Sequence, residues 1–322
     1  MLQLISKRLL SAVLLLYTAS LVGGCTSTPK KEEDAETKPI VTTDAQKKMA
    51  EMQAEVEVGR SMAGRLLQAF SIYQNEALTN YVNQVGNYVA SHSPVPERNY
   101  MFQLLDSDSV NAFACPGGYI LVTVGAVRIA ENEAELAAIL GHEVTHVHRM
   151  HMFNTLRKMD KAQMEKSADE TGNAKLPESV LARARPKAED SAFGNMMARY
   201  LASAGGAGIN VIMAAAAGMG VILKKGLDKD YEYEADLGGV KAAVDAGYDP
   251  RAMLAFLGRL QKKKADLQIA VLEETHPKIE DRRLRIAKLL KDMNAQDIVG
   301  ALGKERFERV AGDIPPAKRN KG

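Results

Sequence analysis

The chain has 322 residues, a formal net charge of +2 and 46% hydrophobic residues. That length and apolar content support a sizeable core, in one large domain or two small ones; the near-neutral charge argues against nucleic acid as the main partner. Trp is absent, aromatics make up only 5%, and Ala, Gly and Met are frequent, which points toward helix and away from an all-β fold.

Residues 1–24 read as a targeting segment. Lys7 and Arg8 form a short basic start, Leu9 to Val22 is apolar, and Val22-Gly23-Gly24-Cys25 follows. This order describes a bacterial export signal, and its small-small-Cys ending resembles a lipobox, in which Cys25 is lipidated and becomes the first residue. An uncleaved anchor helix is the competing reading. Either one holds the rest of the chain outside the cytoplasm at a membrane surface, and acyl chains on Cys25 would hold it durably. Thr26 in place of Asp leans toward the outer membrane, facing the periplasm. Cys115 is then left without a partner for an internal disulfide.

Residues 25–48 are rich in Thr, Ser, Pro, Lys and Glu and predict a disordered tether. Asp44 reads as the N-cap of a helix to about Phe70. Asn75 reads as the cap of a second to about Ala90, with Tyr81, Val82, Val85 and Val89 as its apolar stripe. Ser93-Pro94-Val95-Pro96 ends it. Three short strands are predicted at Tyr100–Asp106, Asn111–Cys115 and Tyr119–Val124, the last two flanking Pro116-Gly117-Gly118. The strand Tyr119–Thr123 is expected to hold an extended peptide by backbone pairing.

Asn132 and Glu135 make a capping box, so the next helix starts near Glu133 and is expected to run past His151. It carries His142-Glu143-Val144-Thr145-His146. Positions i and i+4 share a face one turn apart, so both imidazoles can reach one metal ion with Glu143 beside it. Two neutral nitrogen ligands, and a base next to a metal-bound water, are what a zinc hydrolase needs. The same letters can also be a solvated helix face. Here they follow the apolar run Leu136–Gly141, where unpartnered histidines and a glutamate would cost on the order of several kcal/mol. His148 falls off the ligand face and His151 lies a turn further and rotated, so both read as polar residues of another face.

Residues 157–199 are charge-rich, contain Gly172, Pro177 and Pro186, and are expected to form a mobile insertion. Tyr200–Leu223 has no charge but is mostly Ala and Gly, with Asn210 inside it. A packed helical hairpin, or a surface for lipid or unfolded substrate, suits it better than a transmembrane helix. Helices are then predicted over 229–246, stopped by Gly247; from Asp249-Pro250 to about Lys263; and from His276-Pro277 to about Leu290. The tail 293–322 turns basic and Pro-containing from 303, a composition that predicts loose order. In the first of these helices Glu232 and Asp236 share a face, and Glu234 points elsewhere. One carboxylate can complete the metal site while the other fixes the tautomer of a ligating histidine; an ordinary acidic face has the same spacing.

Several ordered blocks carry a resemblance. Val110–Ile120, Glu135–His146 with Arg149 and His151, Glu232–Asp236, and Thr275-His276-Pro277 with Arg282 resemble the NAFxxPGG, ELAAxxGHExxH, ExxxD and THPxxxxR segments of the M48 family of zinc metallopeptidases. The exported bacterial lipoprotein and outer-membrane members are the most similar in kind, and the likeness covers roughly residues 50–290. It implies an α+β, predominantly helical, zincin-like domain over 49–292, with a small sheet beside the HExxH helix. It also implies His142, His146 and Glu232 as ligands of one zinc ion, Glu143 as general base and Asp236 as support for a ligand. Lys229 and Val124 stand where family members often have Arg, and Lys cannot copy a bidentate Arg contact.

Two function classes follow. One is an endopeptidase that removes misfolded or misassembled envelope proteins. The other is an assembly chaperone for outer-membrane proteins with a latent zinc site, a partner of the outer-membrane assembly machinery. His276 has three readings: aiding the oxyanion, occupying a zinc position and silencing the enzyme, or fixing its own loop.

Overall fold

The run Leu136–Gly141 forms the buried axis of the chain in a computed structural model, which describes residues 43–158, 222, 225–263 and 275–317. Cys25, the signal segment, residues 25–42 of the expected tether, the expected insertion beyond Lys158 and nearly all of 200–223 lie outside the described residues, while 44–48, expected as tether, belong to a helix. Among the described residues, no helix is long and apolar enough to cross a membrane.

Two helices open the described chain. α1 spans Asp44–Phe70. α2 spans Glu76–Ala90 and starts where Asn75 Oδ1 accepts the amide of Leu78 at 3.0 Å. Its stripe of Leu78, Tyr81, Val82, Val85 and Val89 is buried in the main core.

The sheet is built from β1 (Met101–Leu105), β2 (Ala112–Cys115) and β3 (Tyr119–Thr123), in the order β1-β3-β2. β3 pairs in parallel with β1 and antiparallel with β2. The turn from β2 to β3 needs glycine: Gly118 has φ +101°, and a Cβ there would lie 2.0 Å from the Asn99 carbonyl. Ile120 and Val122 face the main core, and Leu121 and Cys115 face a second apolar cluster with α1.

This order corrects the expectation for Tyr119–Thr123. β3 is central, so its backbone groups are already paired on both sides and cannot take a peptide. The two edges also differ. The Asn83 amide caps β1, donating to Phe102 O at 2.6 Å and accepting from Phe102 N at 3.1 Å. β2 ends the sheet on the other side, and no strand among the described residues pairs with its outer edge.

Val124 does not extend β3. It begins a short helix, α3 (Val124–Ile129), because Thr123 Oγ1 accepts from Ala126 N at 3.2 Å and caps it. α4 then runs Glu133–His148. Its cap is half the predicted box. Asn132 Oδ1 accepts from Glu135 N at 3.0 Å, but Glu135 Oε2 reaches Glu131 N at 2.9 Å, one residue too early. α4 also stops short of His151. Met150 takes a left-handed backbone, φ +56°, and α5 (His151–Lys158) restarts in a new direction.

α6 covers Lys229–Asp245, and Gly247, with φ +85°, follows its end. α7 begins later than Asp249-Pro250 suggests, at Ala252, and ends at Lys262; Asp249 Oδ1 instead accepts from Arg251 N at 2.8 Å and shapes the turn before it. α8 spans Ile279–Asp292. The result is α+β and predominantly helical, a zincin-like arrangement with the small sheet beside α4.

The expected loose tail is a helix from Lys304 to Ala311, α9, with Phe307 buried. Its attachment explains the difference. Glu133 is buried and accepts from Tyr81 Oη at 2.7 Å, Tyr248 Oη at 2.9 Å, and Arg306 Nη2 and Nε at 2.6 and 3.0 Å. Burial opposes ionisation of Glu133, but the Arg306, Tyr81 and Tyr248 hydrogen bonds outweigh it and hold its carboxyl below the usual range. A lowered folded-state pKa adds stability above the unfolded value of about 4.3 and loses it as pH falls through the folded value. Glu133→Gln is therefore expected to lower the unfolding temperature at pH 7, with the gap to wild type closing toward pH 3. Melting curves across that range check it.

Candidate metal centre

The site lies where α4 and α6 approach through glycine. A Cβ at Gly239 would sit 2.5 Å from His142 N, and one at Gly141 would sit 2.9 Å from Gly239 O. Only bare backbone lets the helices come this close, and the closeness brings the carboxylates of α6 to the histidines of α4.

His142 Nδ1 lies 3.0 Å from Asp236 Oδ1. The carboxylate accepts, so Nδ1 carries the hydrogen and Nε2 offers its lone pair. That Nε2 lies 3.0 Å from His146 Nε2. Glu232 closes the group, with Oε2 3.5 Å from His142 Nε2 and Oε1 3.5 Å from His146 Nε2. Ligand atoms of His142, His146 and Glu232 all lie within 4.8 Å of one another, and all three residues are buried.

These atoms fit a cation. Two imidazole nitrogens facing each other at this distance can share at most one proton. Glu232 Oε2 is buried and makes no hydrogen bond, an arrangement that is unfavourable without a positive charge nearby. Burial works against an imidazolium at His142, but the hydrogen bond to Asp236 and the charge of the nearby Glu232 carboxylate outweigh it and lift its pKa to about 10, so these carboxylates favour a positive charge at this place. Burial also raises Glu232, yet the neighbouring imidazoles prevail and hold that carboxyl well below the usual range. Two nitrogens and a carboxylate form a donor set that suits zinc.

Glu143 is buried beside the ligands, and burial raises its carboxyl above the usual range. It faces a cleft lined also by Asn111–Ala114, His146, Glu232 and His276. The cleft thus runs beside β2, whose outer edge pairs with no strand among the described residues. His276 Nε2 lies 3.3 Å from Glu232 Oε2, and its Nδ1 lies 2.9 Å from Thr275 Oγ1. Burial pushes the His276 pKa down to about 4. Every candidate read from the blocks of the domain is therefore in one place: His142, Glu143, His146, Glu232, Asp236 and His276.

Three contributions escape the sequence reading. Arg282 donates to both oxygens of Asp236, at 2.9 and 2.7 Å, beneath the ligands. His151 is buried against His146 instead of lying on another face, and Glu234 reaches His151. His148 does point away, with Nδ1 3.1 Å from Val144 O. A buried Asp236 needs a cation, which was a signal for Arg282. A helix break at Met150 carries no such signal.

The family model Peptidase family M48 matches residues 76–291. The chain belongs to peptidase family M48. It is 27% identical over 256 residues to the beta-barrel assembly-enhancing protease of Escherichia coli, covering 79% of this chain and 47% of that protein. The protein of that name from Yersinia pestis is 28% identical over 206 residues, 64% of this chain and 37% of its own. The mitochondrial metalloendopeptidase OMA1 of Schizosaccharomyces pombe is 29% identical over 106 residues, 33% of this chain and 30% of its own. The chain thus spans about half the length of the bacterial relatives it matches. Members of family M48 are metallopeptidases, as the resemblance of the blocks implied.

Proposed function

We propose that this M48 chain is a zinc-dependent endopeptidase of the bacterial cell envelope, with His142, His146 and Glu232 holding one zinc ion per chain. The observation that carries it is the unbonded oxygen of Glu232 among two facing imidazoles, with Glu143 beside them lining a cleft. Zinc bound by these residues would supply Lewis-acid chemistry, polarising a peptide carbonyl and lowering the pKa of water toward about 7. Glu143 takes the proton of the attacking water and passes it to the leaving amine. Asp236 keeps the His142 lone pair on Nε2. An extended peptide pairs with the outer edge of β2, beside Glu143. Recognition through backbone requires an unfolded segment and asks little of side chains.

Misfolded or misassembled envelope proteins are the substrates this mode favours. The names of the bacterial relatives support a place beside outer-membrane assembly. Lipidated Cys25 would hold the domain at the outer membrane, facing the periplasm. The test is incubation of the zinc-loaded full-length chain with an unfolded outer-membrane β-barrel protein. Fragments are expected, and a chelator should abolish them. If no fragments form while barrel assembly is still enhanced, the chaperone reading replaces this one.

That second reading has one observation in its favour, the contact of His276 with a ligand oxygen. We assign to His276 a hydrogen bond to the carbonyl oxygen as it gains charge. On this reading, His276→Ala lowers kcat by roughly 10²–10³-fold. A rise in activity would instead identify His276 as a guard over a latent site.

A further inference from the structure

The break at Met150 has a consequence for the site. With the backbone left-handed there, α4 ends, and the first residue of α5, His151, lies beside His146. The two rings are 5.0 Å apart and nearly perpendicular, at 78°. Their Nδ1 atoms are 2.9 Å apart. Only one hydrogen fits between two ring nitrogens, so one ring donates and the other accepts.

The far side of His151 decides which. Its Nε2 lies 3.1 Å from Glu234 Oε2. An ionised carboxylate only accepts, so His151 Nε2 carries the hydrogen and Nδ1 of the neutral ring is an acceptor. His146 Nδ1–H is then the donor. Its lone pair is left on Nε2, the atom that faces His142 Nε2 and Glu232. The relay is itself held in place. Arg149 binds Glu234, Tyr231 stacks on His151 at 4.3 Å and 7°, and Lys158 Nζ reaches Tyr231 Oη at 2.9 Å. The two histidines are thus supported differently: Asp236 acts on His142 directly, while a carboxylate acts on His146 through a second imidazole.

We propose that His151 and Glu234 are positioning residues that fix the tautomer and orientation of His146, so that the affinity of the site for a divalent cation depends on both although neither touches it. This rests on the reading of His142, His146 and Glu232 as metal ligands. The test is a titration of the metal-stripped full-length chain with zinc against a chromophoric chelator, with unfolding of each metal-free protein followed in parallel. His151→Phe keeps the ring stack but cannot accept, and should weaken zinc binding about 10–100-fold. His151→Gln presents a carbonyl to His146 Nδ1–H and should recover most of that loss. The absorption bands of the cobalt(II)-loaded protein should change in the Phe variant and return in the Gln variant. If the Phe variant does not fold, Glu234→Leu, at a side chain that is 36% exposed, carries the test and should also weaken binding. Unchanged affinity in the variants, or equal loss in Phe and Gln, overturns the relay while leaving the ligands standing. A wild-type chain that takes up no zinc overturns the ligand reading and the relay with it.

Discussion

Glu143→Gln is expected to lower kcat by about 10²–10⁴-fold with zinc content and unfolding unchanged. The two side chains are nearly isosteric, so the buried cleft keeps its shape. What is lost is the lone pair that takes a proton from water, because an amide oxygen is far less basic than a carboxylate. Burial already opposes ionisation of Glu143, so removing its charge should not weaken the fold. Single-turnover cleavage of an unfolded protein, with metal content measured on the same sample, separates chemistry from assembly. Activity within a few-fold of wild type would remove Glu143 from the role of general base.

The largest effect on stability is expected at Arg282. Its guanidinium is buried and meets both oxygens of Asp236, which is fully buried. Burial opposes ionisation of Asp236, but Arg282 and His142 outweigh it and hold its carboxyl well below the usual range. Arg282→Met fills similar space but leaves that carboxylate without its main counter-charge, a change worth about 3–5 kcal/mol. Urea unfolding of the metal-free protein measures it. The sign with pH follows from the depressed pKa. The pairing contributes above the unfolded Asp value of about 3.9 and is lost as pH falls through the lower folded value. The gap between wild type and Arg282→Met should therefore narrow in acid. Adding Asp236→Asn should restore part of the loss at neutral pH, since no orphaned charge then remains. Zinc affinity should fall as well, because Asp236 holds His142.

Much of the site was legible because its elements are local. The i,i+4 spacing of His142 and His146 lies within one helix, and so does that of Glu232 and Asp236, so periodicity alone places each pair on one face. Choosing Glu232 over Asp236 as the ligand was not legible from spacing. It rested on the family resemblance, and in the structure Glu232 is the carboxylate among the Nε2 atoms. The role of β3 was misread because strand order is a long-range property: Tyr119–Thr123 has the same composition whether central or at an edge. α9 was missed for a similar reason, since a basic and Pro-containing segment gives no hint that Arg306 meets a buried Glu133 from α4. A straight helix would carry His151 to another face, but one left-handed residue, Met150, breaks the helix before it.

We propose that His142, His146 and Glu232 form one zinc site. Its most direct test is the metal content of the purified full-length chain, compared with a His146→Ala, Glu232→Ala double variant. One zinc per chain in the wild type and none in the folded variant is the expected result. Zinc retained in the variant, or a folded wild type that neither contains nor takes up zinc, would contradict it.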